Sequence, residues 1–235
     1  MNFQKEIEEY IVINPGENLI TKGNFTCYGI ALTNKHKFES SPGKIYINLI
    51  LNNETLAENL FAYFLAGSIP FPCEFQIPQS SVITYIPINF DEKHPLVLFC
   101  KKGLFGEGKG YLKGFKIFPE QSGDIGYATI KPFPGEKMKI LCWSFFLAID
   151  DTQTPQIVPY ATGWTPNFGK IDIYNDEIAI AEKISLEQIF SLRNFYKFQN
   201  IEFKKLLYFR CEGTPYERSY MFPYVAAFIK RLPAL

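Results

Sequence analysis

Three groups of residues have the types and spacing that chemistry uses. The first is Gly103-Leu104-Phe105-Gly106-Glu107-Gly108-Lys109-Gly110. It approximates G-x-x-x-x-G-K-[ST], the loop whose backbone N–H groups and lysine cradle phosphates and whose hydroxyl holds magnesium. Two features depart from that chemistry. Gly110 stands where the hydroxyl is needed, and Tyr111 to Phe118 reads as a strand rather than a helix whose N-terminus faces phosphate. A glycine-rich hairpin turn is the expectation. The second group is the histidines, His36 and His94. Neither has a cysteine or another histidine at metal-ligand spacing, and no base–nucleophile pair is adjacent. The third is acidic: Asp172, Asn175, Asp176 and Glu177, with Asp150-Asp151 upstream. Hard cations take such oxygen ligands, but the spacing is not that of a calcium loop, and a solvated turn is expected. The chain is therefore expected to hold no metal, no cofactor and no catalytic set, and not to be an enzyme.

Binding chemistry is better represented. Trp164 lies in Gly163-Trp164-Thr165-Pro166-Asn167, a loop sequence. An exposed loop tryptophan anchors a sugar ring or a protein partner; the alternative is that it folds back on its own domain. Trp143 sits in an apolar strand and reads as core. Lys101, Lys102, Lys109, Lys113 and Lys116 are the one basic concentration, read as a solvated face because no aromatic–basic motif accompanies them. Lysine plus arginine and aspartate plus glutamate number 24 each. That balance leaves no electrostatic footprint for direct nucleic-acid contact, and it permits close approach of identical copies.

The five cysteines, Cys27, Cys73, Cys100, Cys142 and Cys211, are odd in number and contain no CxxC. With no apolar signal core after Met1, they read as free thiols in a protein made in a reducing cytoplasm. The sequons at Asn24 and Asn53 are then accidental. No apolar run reaches the roughly 18–20 residues of a membrane span.

The elements that would position these groups are mostly strands. Aromatic residues make up 17% of the chain, which favours pleated surfaces. Ile45, Ile47, Leu49 and Leu51 share one face in a period-two alternation, as in a half-buried strand. Leu141 to Ile149 is apolar on both faces and needs cover on both. Landmarks recur in the same order: Pro15-Gly16-Glu17 and Pro134-Gly135-Glu136, Gly43-Lys44-Ile45 and Gly169-Lys170-Ile171, then Leu96 to Gly103 and Leu206 to Gly213, each followed by an aromatic strand. This order predicts an internal duplication, with domains over 1–119 and 124–235 joined by a short polar linker. One short helix is expected in each: Glu54 to Ala66 capped by Asn53, and a capping box at Ser185-Leu186-Glu187-Gln188.

Two all-β antiparallel sandwiches in tandem, each with one short helix, resemble the double jelly-roll plan of capsid and virion-decoration proteins. The resemblance is one of architecture and covers the whole chain. It implies a structural protein that assembles with copies of itself and with other virion proteins, carried in the virion after cytoplasmic synthesis. The C-terminal run Tyr224-Val225-Ala226-Ala227-Phe228-Ile229 is apolar on both faces near the chain end, so Val225 and Phe228 are the expected contact residues. A carbohydrate- or receptor-binding sandwich, with a glycan ligand at Trp164, is the other reading.

Overall fold

The computed structural model describes residues 8–33, 44–66, 69–89, 94–120, 123–148, 169–192, 197–216 and 219–234. Two compact units are present: Met1–Lys113 with Phe228–Lys230, and Gly114–Ala227 with Arg231–Leu235. The regular secondary structure of the described residues is nearly all strand, so the expected all-β class holds.

In unit 1, β1 (Glu9–Ile13), β3 (Phe25–Leu32), β6 (Phe71–Ile77) and β8 (Leu96–Lys102) form a sheet of order β1-β8-β3-β6. A second sheet runs β5-β4-β7-β2, from β5 (Glu54–Phe61), β4 (Tyr46–Leu51), β7 (Val82–Ile88) and β2 (Asn18–Ile20). Successive strands change sheet at every step but the β4–β5 hairpin, which is the winding of a jelly roll. β9 (Lys109–Lys116) begins in this unit and pairs parallel to β5 at Ala57 and Glu58. The core is the inner alternation of these strands: Ile30, Ile47, Leu49, Phe71, Leu96 and Leu98 are fully buried.

In unit 2, β10 (Ile125–Ile130), β12 (Lys170–Asn175), β13 (Ile178–Ser185) and β16 (Leu207–Glu212) form a sheet of order β10-β16-β12-β13. β11 (Glu136–Ala148) lies between β14 (Ser191–Leu192), which runs parallel to it, and β18 (Ser219–Pro233). It also pairs antiparallel with β15 (Lys197–Phe203), and β17 (Thr214–Tyr216) pairs with β18. The doubly apolar run in β11 is covered inside the unit. Trp143 and Phe145 meet Phe190, with ring centroids 4.6 and 5.7 Å apart, while Phe146 stacks on Tyr224 at 4.9 Å from the opposite face. The Trp143 indole N–H donates to the Ile189 carbonyl at 2.8 Å.

The two helices differ from their sequence reading in one case. Glu54 to Phe61 is strand, and only α1 (Ala62–Leu65) is helical. Asn52 and Asn53 have φ of 49° and 68°, the left-handed pair that a tight β-hairpin requires, so the asparagines make a turn instead of a helix cap. Downstream, α2 (Leu186–Ile189) follows Ser185, whose backbone N–H donates to the Gln188 side chain at 3.3 Å, as the capping box predicts.

The repeated landmarks fall unequally. β1–β8, β2–β7 and β3–β8 pairings have counterparts in β10–β16, β11–β15 and β12–β16. Both Pro-Gly-Glu turns therefore follow corresponding strands. The two Gly-Lys-Ile segments do not correspond: β4 lies between β5 and β7, whereas β12 lies between β16 and β13.

Candidate binding faces

The expected contact residues are core. Val225 and Phe228 are 0% and 5% exposed, and β18 has a hydrogen-bonded neighbour on each side. This corrects the reading of an open C-terminal edge: a strand apolar on both faces is one covered on both faces. Trp164, His36 and Asp150-Asp151 lie outside the described residues.

The sequence-identified chemistry is largely absorbed by structure. Gly103 to Gly108 joins strands of different sheets, so it is a crossing loop rather than a hairpin turn. At Gly110 a Cβ would lie 2.0 Å from the Glu74 carbonyl oxygen, so close backbone approach excludes any side chain there. The Lys109 ammonium pairs with the Glu54 carboxylate at 3.0 Å. Lys113 meets Glu58 at 2.9 Å, and the Tyr111 hydroxyl also donates to Glu58. Partial burial alone would raise the Glu58 pKa, but these two donors outweigh it and lower it. Asp176 and Glu177 form the β12–β13 turn with φ of 49° and 79°. The Asp176 carboxylate accepts N–H groups of Lys204, Lys205 and Leu206 at 2.9, 2.7 and 2.7 Å. Among the described residues no cluster of three or more His, Cys, Asp or Glu is placed to hold a metal.

What remains are two sheet faces, set by strand register. In unit 1 the outer-face positions of β1, β8 and β3 line up as Val12–Val97–Ala31 and Tyr10–Phe99–Gly29, with Pro72 of β6 opposite Gly29; Gly29 and Pro72 are themselves buried. None of these positions carries a charge. Tyr10 and Val12 are 64% and 52% exposed, and Tyr10 meets Phe99 edge-on at 5.4 Å. On an antiparallel sheet that faces water these positions are ordinarily polar.

In unit 2 the corresponding rows are Tyr127–Arg210–Asp172 and Thr129–Tyr208–Tyr174–Ala179. Tyr208 lies between Tyr127 and Tyr174, with centroids 6.2 and 6.0 Å away. The Arg210 guanidinium donates to Asp172 at 2.9 Å, and the Lys183 backbone N–H donates to the other carboxylate oxygen at 2.7 Å. Burial, then the neighbouring Tyr127, pushes the Tyr208 phenol up, and the bond to Asp172 pushes Arg210 up. The face thus presents three tyrosine rings beside the Asp172–Arg210 ion pair. Sequence reasoning missed both faces. Tyr208 and Arg210 alternate legibly along β16, but their alignment with Tyr127, Tyr174 and Asp172 depends on register between distant strands.

No family model and no curated protein sequence matches the chain. Among solved structures it is similar to the STIV MCP, at 10% identity over 96% of this chain and 97% of that one, with a TM-score of 0.40. It is also similar to the plant receptor-like kinase FER, at 7% identity, 98% and 89% coverage and a TM-score of 0.29. The extracellular domain of ANXUR2 from Arabidopsis thaliana is similar at 7% identity, 97% and 83% coverage and a TM-score of 0.30.

Proposed function

We propose that this chain is a non-enzymatic assembly protein, a virion structural component that associates with copies of itself through the outer face of the four-stranded sheet in unit 1. The observation that carries this reading is the uncharged pair of rows Val12–Val97–Ala31 and Tyr10–Phe99–Gly29. Contiguous apolar surface on a folded protein marks an interface. Its formal net charge of zero opposes no approach of a second copy. A stable contact there buries more than about 1,000 Å² in total. The jelly-roll winding supports a capsid role by analogy, while the Gly-Lys-Ile segments, which fall on non-equivalent strands, count against the expected internal duplication.

Light scattering over a concentration series tests it. Wild-type protein is expected to form oligomers or ordered particles, and Val12→Lys with Val97→Lys is expected to stay monomeric with an unchanged circular dichroism spectrum. Wild-type protein that remains monomeric at high concentration would overturn the reading.

A specific observation favours a second reading, a glycan-binding sandwich: the tyrosine face of unit 2. Phenol rings offer stacking surface for the C–H faces of sugars, and phenols, Arg210 and Thr129 offer hydrogen bonds to hydroxyls. Retention on polysaccharide columns, lost in Tyr208→Ala, tests that reading.

A further inference from the structure

Three neighbouring strands of unit 1 each place a cysteine on the inner face. Cys27 on β3 stands opposite Cys100 on β8 in direct register. On the other side Cys27 stands opposite Phe75 of β6, and the register shifts between Cys27 and Gly29, where Gly29 meets Pro72. That irregularity inserts Tyr28 and brings Cys73 diagonally against Cys27, with the two sulfurs 3.6 Å apart. The Cys27 thiol also donates to the Gly29 carbonyl at 3.3 Å, which holds it at the irregularity. All three cysteines are buried.

We propose that Cys27 and Cys73 are a disulfide-forming pair, which closes inside unit 1 when the chain folds in the presence of a small-molecule disulfide such as oxidised glutathione. A sulfur–sulfur bond is about 2.0 Å long, so the two atoms, 3.6 Å apart, need to approach by roughly 1.6 Å. Cys100, directly opposite Cys27 on β8, is the competing partner. Cys142 and Cys211 stand on strands of different sheets in unit 2.

The exchange balances in two displacements. One cysteine thiolate attacks the glutathione disulfide, forming a mixed disulfide and releasing one glutathione. The second thiolate attacks the cysteine sulfur of that mixed disulfide and releases the other glutathione. The two cysteines lose two electrons, glutathione disulfide gains them, and the two thiol protons end on the released glutathiones. Cys27 and Cys73 are 0% and 3% exposed, so the exchange belongs to folding or local opening and not to the closed sheet.

The test refolds the full chain in a glutathione redox buffer and, in parallel, under full reduction, then alkylates and maps the peptides. Under reduction all five cysteines are expected to be alkylated. In the redox buffer three are expected, with a peptide linking Cys27 to Cys73. Cys142→Ser and Cys211→Ser keep the link; Cys27→Ser and Cys73→Ser abolish it. Should either of the latter fail to fold, the wild-type peptide map decides alone. Five alkylated cysteines in both buffers, stable glutathione adducts without an internal link, or a Cys27–Cys100 link would overturn the proposal.

Discussion

Asp176 shows how a residue with a metal ligand's chemistry becomes a structural anchor. Its carboxylate satisfies three backbone N–H groups of the approach to β16. Partial burial opposes the charge, but these donors outweigh it and lower the pKa from the usual 3.8. A lowered folded pKa means stabilisation that is complete above the unfolded value and is lost as pH falls through the folded one. Asp176→Ala is expected to cost about 2 kcal/mol at neutral pH, since bonds to a charged acceptor are the stronger class. Urea titrations should show the gap from wild type narrowing below about pH 4. A gap that stays constant through that range would assign the anchor to another group. Tyr85 is the opposite case. It is fully buried, and among the described residues its hydroxyl has no hydrogen-bond partner. Burial accordingly pushes its pKa up. Tyr85→Phe removes an unsatisfied group without leaving a hole, so stability is expected to hold or rise by up to about 1 kcal/mol. A loss larger than that in the same titration would reveal a partner for the hydroxyl.

At the scale of elements, the β4–β5 turn shows where local reading fails. Asn-Asn before Glu-Thr-Leu fits a helix cap, and Leu56, Leu60 and Phe64 fit a helical stripe. The strand wins because β4 and β9 flank β5 and complete its ladder, a tertiary gain that no window of sequence contains. Asn53→Ala is expected to cost about 1 kcal/mol, because alanine pays for the left-handed conformation that Asn53 adopts at φ 68°. Asn53→Gly should be neutral or stabilising in chemical denaturation, and equal effects of both substitutions would remove the conformational explanation. Other elements were legible. Ile45 to Leu51 shows its buried face by alternation, and the Ser185 capping box marks α2 to the residue. The candidate faces were not legible: Val12 meets Val97, and Tyr174 meets Tyr208, only through pairings dozens of residues apart. The same limit explains Val225 and Phe228. Apolar residues on both faces of a strand indicate burial, while the exposed apolar residues Tyr10 and Val12 sit in a short N-terminal strand that composition alone does not single out.

For the whole molecule, the two units share three strand pairings but dress the corresponding face differently, and that contrast allows the two functional readings to be tested independently. The rows Val12–Val97–Ala31 and Tyr10–Phe99–Gly29 carry no charge; those across β10, β16 and β12 carry tyrosines and the Asp172–Arg210 pair. Apolar burial is the dominant favourable term in association, and salt does not screen it; salting-out salts strengthen it. Contacts made by exposed charges weaken as salt rises. Association through unit 1 is therefore expected to persist in high salt and to be abolished by Val12→Lys with Val97→Lys, whereas Tyr208→Ala should leave it unchanged. Val12 is half exposed and Val97 points outward, so lysine at either position keeps its ammonium in water and leaves the core intact. Sedimentation velocity of the wild type and both variants, at low and high salt, distinguishes the outcomes. If Tyr208→Ala dissociates the assembly and the lysine pair does not, the interface lies on the unit 2 face and the apolar rows of unit 1 are not its basis. If neither changes the sedimentation of an associated wild type, both faces are excluded as the contact. The edge strand β13 is then the surface to test next, since Ile178 and Ile180 are exposed along it and its outer backbone edge has no paired strand among the described residues.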